Sequence, residues 1–167
     1  MNKKVLERAL PIMEKHTNVL ADFEEFNKLY LRFNERYLIL YDVMQELGHE
    51  VAEILKKKKM TDDETDECKE FGELADVFVP YGHKMNRSVK KYGVIAKQLN
   101  DAVGEFELIR DRINLANLEN AHAIKLLDNF AKALAEKHTN YFEYKKEFEI
   151  FENELTEIEK RFGSDSE

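Results

Sequence analysis

Two Glu-x-x-His pairs, Glu46/His49 and Glu119/His122, have the spacing best suited to chemistry in this chain. On a helix that spacing sets a carboxylate and an imidazole on one face, and bundles that hold two metal ions use the pair twice. With 24 Glu and 5 His among 167 residues, roughly one such pair arises by chance. Glu46 and His49 also fall opposite the apolar Leu47, Val51 and Ile54 when successive residues are turned through about 100°. Metal binding by a helical bundle is therefore a minor reading, and no metal is expected. Cys68 sits among Asp66, Glu67 and Glu70, which disfavour a thiolate, and it has no second cysteine to pair with. His16 and His138 fall at apolar positions. They read as core histidines, with pH-dependent association as the alternative. The chain has no phosphate-binding loop, no Gly-x-Ser-x-Gly and no paired-cysteine motif. The expectation is a protein that is not an enzyme, with no cofactor and no small-molecule substrate.

The most local chemical signal is electrostatic. Net charge is −8, yet residues 77–100 contain no acid and five cations, Lys84, Arg87, Lys90, Lys91 and Lys97. On a helix those five fall within about 140° of arc, opposite Met85, Val89, Tyr92, Ile95, Ala96 and Leu99. Such a basic strip suits an anionic membrane surface or an acidic protein partner. The competing reading is an ordinary solvated face whose cations pair with acids such as Glu147, Glu149, Glu152 and Glu154. Nucleic acid is not expected, because the overall acidity opposes long-range attraction to phosphate.

The elements that must position this strip are legible as heptad ladders. The first runs Val19, Phe23, Phe26, Tyr30, Phe33, Tyr37, Leu40, Met44, Leu47, Val51, Ile54, in alternating steps of three and four. It can be followed upstream through His16, Ile12 and Ala9. The second passes through Phe71, Phe78, Met85, Tyr92, Leu99, Phe106 and Ile113, with Leu74, Tyr81, Ser88, Ile95, Ala102 and Ile109 between them. The third passes through Ala123, Phe130, Lys137, Tyr144, Phe151 and Ile158, with Leu127, Leu134, Tyr141, Phe148, Leu155 and Phe162 between them. The phase of the second ladder survives Pro80, Gly82, Gly93 and Gly104, so these are kinks or thin spots within one helix.

The sequence predicts an all-α, elongated antiparallel three-helix coiled coil with helices at approximately 11–59, 62–115 and 119–162. Pro11 suits a first helical turn, with 2–10 as a short helical lead in which Leu6 and Leu10 lie one turn apart. Lys56 to Lys59 place four cations at a helix C-terminus, where the macrodipole favours them. Thr61-Asp62-Asp63-Glu64 then supplies a capping box for the next helix. The boundary at 114–120 stays open. Asn114, Asn117 and Asn120 are the candidates for a turn, and a single helix of about 100 residues is the alternative. Residues 1–162 read as one helical domain and 163–167 as a disordered tail. No apolar run approaches the ~20 residues needed to span a bilayer. The N-terminus lacks the apolar segment of a secretory signal, and the lone cysteine fits a reducing compartment. A cytoplasmic protein, peripheral to membrane, is the expectation.

Lys91-Tyr92-Gly93-Val94-Ile95-Ala96-Lys97 resembles a stretch in the second helix of the ciliary basal-body BAR proteins, which read Thr-Tyr-Gly-Thr-Ile-Val-Lys there. Glu14-Lys15-His16 is similar to a tripeptide at a comparable distance upstream. With a basic strip and a proline on the second of three long helices, residues 14–162 resemble the BAR-domain superfamily. The resemblance implies a homodimeric, curved, membrane-binding coiled coil with Lys84, Arg87, Lys90 and Lys91 as lipid contacts. The chain departs from that family in a shorter third helix and in its acidity outside the strip. The functional expectation is a non-catalytic, rod-shaped scaffold on anionic membrane, with a lipid-independent coiled-coil adaptor as the alternative.

Overall fold

The computed structural model describes residues 3–115 and 119–163. It is all-α: α1 spans Lys3–Leu55, α2 Asp62–Leu115 and α3 Asn120–Gly163. No residue of the three ladders is exposed. That is the outcome expected when the apolar seam, rather than helix propensity, holds a helix in water.

The helix ends depart from the sequence reading in instructive ways. α1 does not begin at Pro11 but continues upstream to Lys3, with Pro11 inside it. Tertiary burial accounts for this: Val5 and Ala9 pack with Ile113, Ala123 and Leu127, which outweighs the backbone bond that Pro11 forfeits. The buried pair in this lead is Val5 and Ala9, whereas Leu6 and Leu10 are exposed. At its other end α1 stops at Leu55, so Lys56 to Lys59 lie in the connection rather than in the last turn. Ile54 is the last seam residue, and beyond it no buried side chain offsets the repulsion among four consecutive cations. The amides of Lys56 and Lys57 tighten the end by bonding to the Glu53 and Ile54 carbonyls at 3.3 and 3.0 Å.

The predicted capping box is present. Thr61 Oγ1 accepts from the Glu64 amide at 3.2 Å, and Glu64 Oε1 accepts from the Thr61 amide at 3.1 Å. Lys57 also donates to Glu64 at 2.6 Å, and this bond is the first reason the Glu64 carboxyl sits below its ordinary range. α2 runs unbroken through Pro80 and the three glycines. Pro80 and Asp76, whose carbonyl loses its helical donor there, are both exposed, so water can take the bond's place. Between α2 and α3, Asn114 is helical and Asn120 opens α3, while Asn117 lies outside the described residues. Gly163, placed in the tail by the sequence, is the last residue of α3.

Packing divides into two compact units. The first comprises residues 1–28 and 90–147. Within it α2 is antiparallel to α1 and α3, which run parallel to each other: His16 meets Phe106 and Phe130, and Phe26 meets Tyr144. Tyr141 is fully buried and stands edge-on to Phe23 and Phe26. Its hydroxyl donates to the Asp22 carbonyl at 3.4 Å, and burial holds its ionisation far above the ordinary range. The Tyr92 hydroxyl bonds to Asn27 Oδ1. Lys137, the charged member of the third ladder, keeps its stem in the seam and carries its ammonium to Glu105 at 3.6 Å.

The second unit comprises residues 29–89 and 148–167. Its core is aromatic: Phe33 is edge-on to Phe148 at 5.1 Å, and Tyr81 stacks on Phe151 at 4.5 Å. Such pairs contribute roughly 0.5–1.5 kcal/mol beyond their area. Tyr81 donates to the Phe151 carbonyl at 3.0 Å, so its polar end is satisfied. Tyr37 stacks on Phe78 at 5.5 Å, again with α1 and α2 antiparallel.

Candidate interaction surface

All five cations of the basic strip are exposed, in agreement with a helix whose opposite side is buried through Met85, Ile95 and Leu99. They divide between the units, Lys84 and Arg87 in the second and Lys90, Lys91 and Lys97 in the first. In the second unit Lys84 Nζ lies 3.6 Å from Glu154 Oε2. In the first, Lys91 Nζ donates to both carboxylate oxygens of Glu147 at 2.9 Å. Lys84 and Lys91 are one heptad apart, as are Glu147 and Glu154, so each pairing repeats the same antiparallel contact between α2 and α3. The side chains are 40–60% exposed, and exposed pairs of this kind contribute at most about 1 kcal/mol each.

Arg87, Lys90 and Lys97 have no ion pair among the described residues. Heptad spacing explains the difference. Lys84 and Lys91 share the heptad position of α2 that meets α3 in each unit, whereas Arg87, Lys90 and Lys97 fall at other positions of the heptad. Each unit thus holds both a paired and an unpaired cation of the strip.

The other residues singled out by spacing are not brought together for chemistry. Glu46, His49, Glu119 and His122 are all exposed, and Glu119 lies at the N-terminal end of α3, its carbonyl accepting from the Ala123 amide at 3.0 Å. Among the described residues no three His, Cys, Asp or Glu side chains converge as metal ligands. Cys68 is a half-buried free thiol. His138 is half-buried against Tyr141 and Phe142. His16 is buried, and its Nε2 has no hydrogen-bond partner among the described residues. Burial holds its imidazole below the ordinary range. Among the described residues no helix is long and apolar enough to cross a membrane.

One polar cluster is not anticipated by the ladders. Arg36 on α1 reaches three residues of α3: it bonds to both carboxylate oxygens of Glu159, donates to Thr156 Oγ1 at 3.1 Å and lies 3.6 Å from Glu152. A planar guanidinium can satisfy several acceptors spread along one helix face in this way. The signal for it is the spacing of Glu152, Thr156 and Glu159 at four and three residues, the same stripe period as the seam but polar.

No family model, curated protein or solved structure matches the chain.

Proposed function

We propose that this protein is a non-catalytic scaffold that associates with anionic membrane surfaces through the basic strip of α2, in the manner of the BAR-domain proteins that its second helix resembles. The observation that carries the reading is the acid-free stretch 77–100, whose five cations are all exposed in a chain of net charge −8. Near an anionic leaflet each cation contributes about 1 kcal/mol. Arg87, Lys90 and Lys97 would therefore supply ~3 kcal/mol, with Lys84 and Lys91 adding more by exchanging Glu154 and Glu147 for lipid phosphate. A single strip of this strength binds weakly, and useful retention requires several copies on one surface.

The second reading is a lipid-independent coiled-coil adaptor whose strip meets an acidic helix. The Lys84–Glu154 and Lys91–Glu147 pairs favour it, since they are contacts of that kind within the chain.

Co-sedimentation with neutral and with phosphatidylserine-rich vesicles, at low and at physiological salt, separates the two. The membrane reading expects salt-sensitive retention on the anionic vesicles alone, lost in an R87E/K90E/K97E variant of unchanged helicity. Absence of binding to anionic vesicles at low salt would refute it and leave the adaptor.

A further inference from the structure

In the second unit α1 and α2 leave an open groove of about 720 Å³ on a side that α3 does not line. Its floor is an uncharged stripe on each helix in steps of three and four: Leu38, Tyr41, Gln45 and Gly48 on α1, and Ala75, Val79 and Gly82 on α2. Leu38, Tyr41 and Val79 are 49%, 44% and 52% exposed. Side chains in such steps form the ridges and grooves by which one helix receives another.

The backbone narrows what can fill this groove. Both walls are unbroken helices, so their amides and carbonyls are already bonded and offer no edge to an extended segment. An occupant that leaves water for this floor has to satisfy its own backbone, which a helix does. Gly48 agrees with such an occupant. A Cβ at Gly48 would stand in ordinary contact with Phe71 at 3.5 Å, so nothing within the chain excludes a side chain there. Glycine weakens a helix interior, and its use on the groove floor lets a neighbouring helix come close.

Charge narrows the occupant further. Between Phe33 and Leu55, α1 carries five acids, Glu35, Asp42, Glu46, Glu50 and Glu53, and a single cation, Arg36. Arg36 is turned to Glu159 on α3, and Glu50 lies beside Glu67 on α2. The other four acids are exposed and fall within about 40° of arc, along the outer border of the α1 stripe. Of these four, only Glu53 has an ion pair among the described residues, an exposed one to Lys56 in the connection. The border on α2 is mixed, with Lys69, Asp76 and Arg87. The sign of the groove is therefore set by α1, and it repels an anionic leaflet while attracting cations.

We propose that this groove receives an amphipathic helix of a protein partner, apolar on the side that enters the groove and basic on the flank that meets the α1 border. The α1 stripe continues through Ala52 to Leu55, 63% exposed, and from Leu38 to Leu55 it is about 26 Å long, the length of ~18 helical residues. The proposal stands whether or not the basic strip binds membrane, because its test contains no lipid and its variants leave that strip intact.

The test is fluorescence anisotropy of labelled peptides of ~18 residues, titrated with the full chain at low salt. One peptide carries leucines in steps of three and four with lysines along one flank. A second replaces the lysines with glutamates, and a third keeps the composition of the first with its leucines scrambled off the stripe. The expected result is saturable binding of the lysine peptide, at least about tenfold weaker binding of the glutamate peptide, and none of the scrambled one. Gly48→Leu fills the floor from a position where a Cβ fits, and is expected to abolish binding with unchanged circular dichroism. D42K/E46K, at two exposed positions, is expected to weaken the lysine peptide about tenfold or more and to shift preference to the glutamate peptide. No saturable binding of the lysine peptide would overturn the proposal. Equal binding of the scrambled peptide, or indifference to either variant, would show diffuse attraction to an acidic chain and would overturn it as well.

Discussion

Replacing His16 with leucine is expected to stabilise this protein, and to do so increasingly as the pH falls. His16 occupies the apolar seam of α1, 8% exposed, stacked on Phe106 at 5.0 Å and tilted against Phe130 at 5.7 Å. Its Nε2 lacks a hydrogen-bond partner among the described residues, and a buried polar atom left in that state costs about 1–3 kcal/mol. Leucine is close in size and removes that cost, at the loss of ring contacts worth roughly 0.5–1.5 kcal/mol. The net expectation near neutral pH is a gain of about 1 kcal/mol, or ~2–4 °C in Tm for a chain of this size. The pH dependence has a definite sign. Burial lowers the folded-state pKa of His16 below its unfolded value of about 6.5, so between the two the unfolded chain binds the extra proton. The stability that rests on a neutral His16 is complete above about pH 6.5 and is lost as the pH falls toward the folded value. His16→Leu has no such loss, and its advantage grows by up to about 1.4 kcal/mol for each pH unit crossed. Urea unfolding of both chains by far-UV circular dichroism, at about pH 7 and about pH 5, measures this. Every other titrating group is common to both chains and cancels in the difference. A variant less stable than the parent at neutral pH, or a gap that does not widen on acidification, would refute the reasoning.

Two further substitutions test the polar contacts. Thr61→Ala removes the cap of α2 and is expected to cost about 1 kcal/mol, with hydrogen exchange at the Glu64 amide accelerated because that donor loses its acceptor. Unchanged protection at Glu64 would show that water replaces the threonine without cost. Arg36→Ala breaks the bonds to Glu159 and Thr156 and is expected to cost about 1–2 kcal/mol, at the low end for charged bonds because the guanidinium and carboxylates are about one-third exposed. Arg36→Lys is expected to recover only part of this, since a lysine cannot span Glu159 and Thr156 together. Thermal unfolding at low and high salt reads both.

Periodicity made the helices and their buried sides legible from the residues alone, because a seam of three-and-four steps has a single way to exclude water. It was least reliable at the ends of α1, where the competing terms are long-range. Pro11 favours a helix start locally, but Val5 and Ala9 find Ile113, Ala123 and Leu127, residues more than a hundred positions away. The four lysines after Leu55 favour a helix end by the dipole, yet the last seam contact at Ile54 decides where α1 stops. The polar cluster around Arg36 lay beyond such reasoning, since the register between α1 and α3 is needed before Glu152, Thr156 and Glu159 can be assigned to one cation.

The basic strip shows how placement changes the meaning of a composition signal. Five cations in an acid-free stretch spread over about 140° of a helical wheel, and packing of α2 against α3 turns that spread into paired and unpaired residues. Lys84 and Lys91 meet Glu154 and Glu147 because both pairs keep the heptad, and Arg87, Lys90 and Lys97 do not because they leave it.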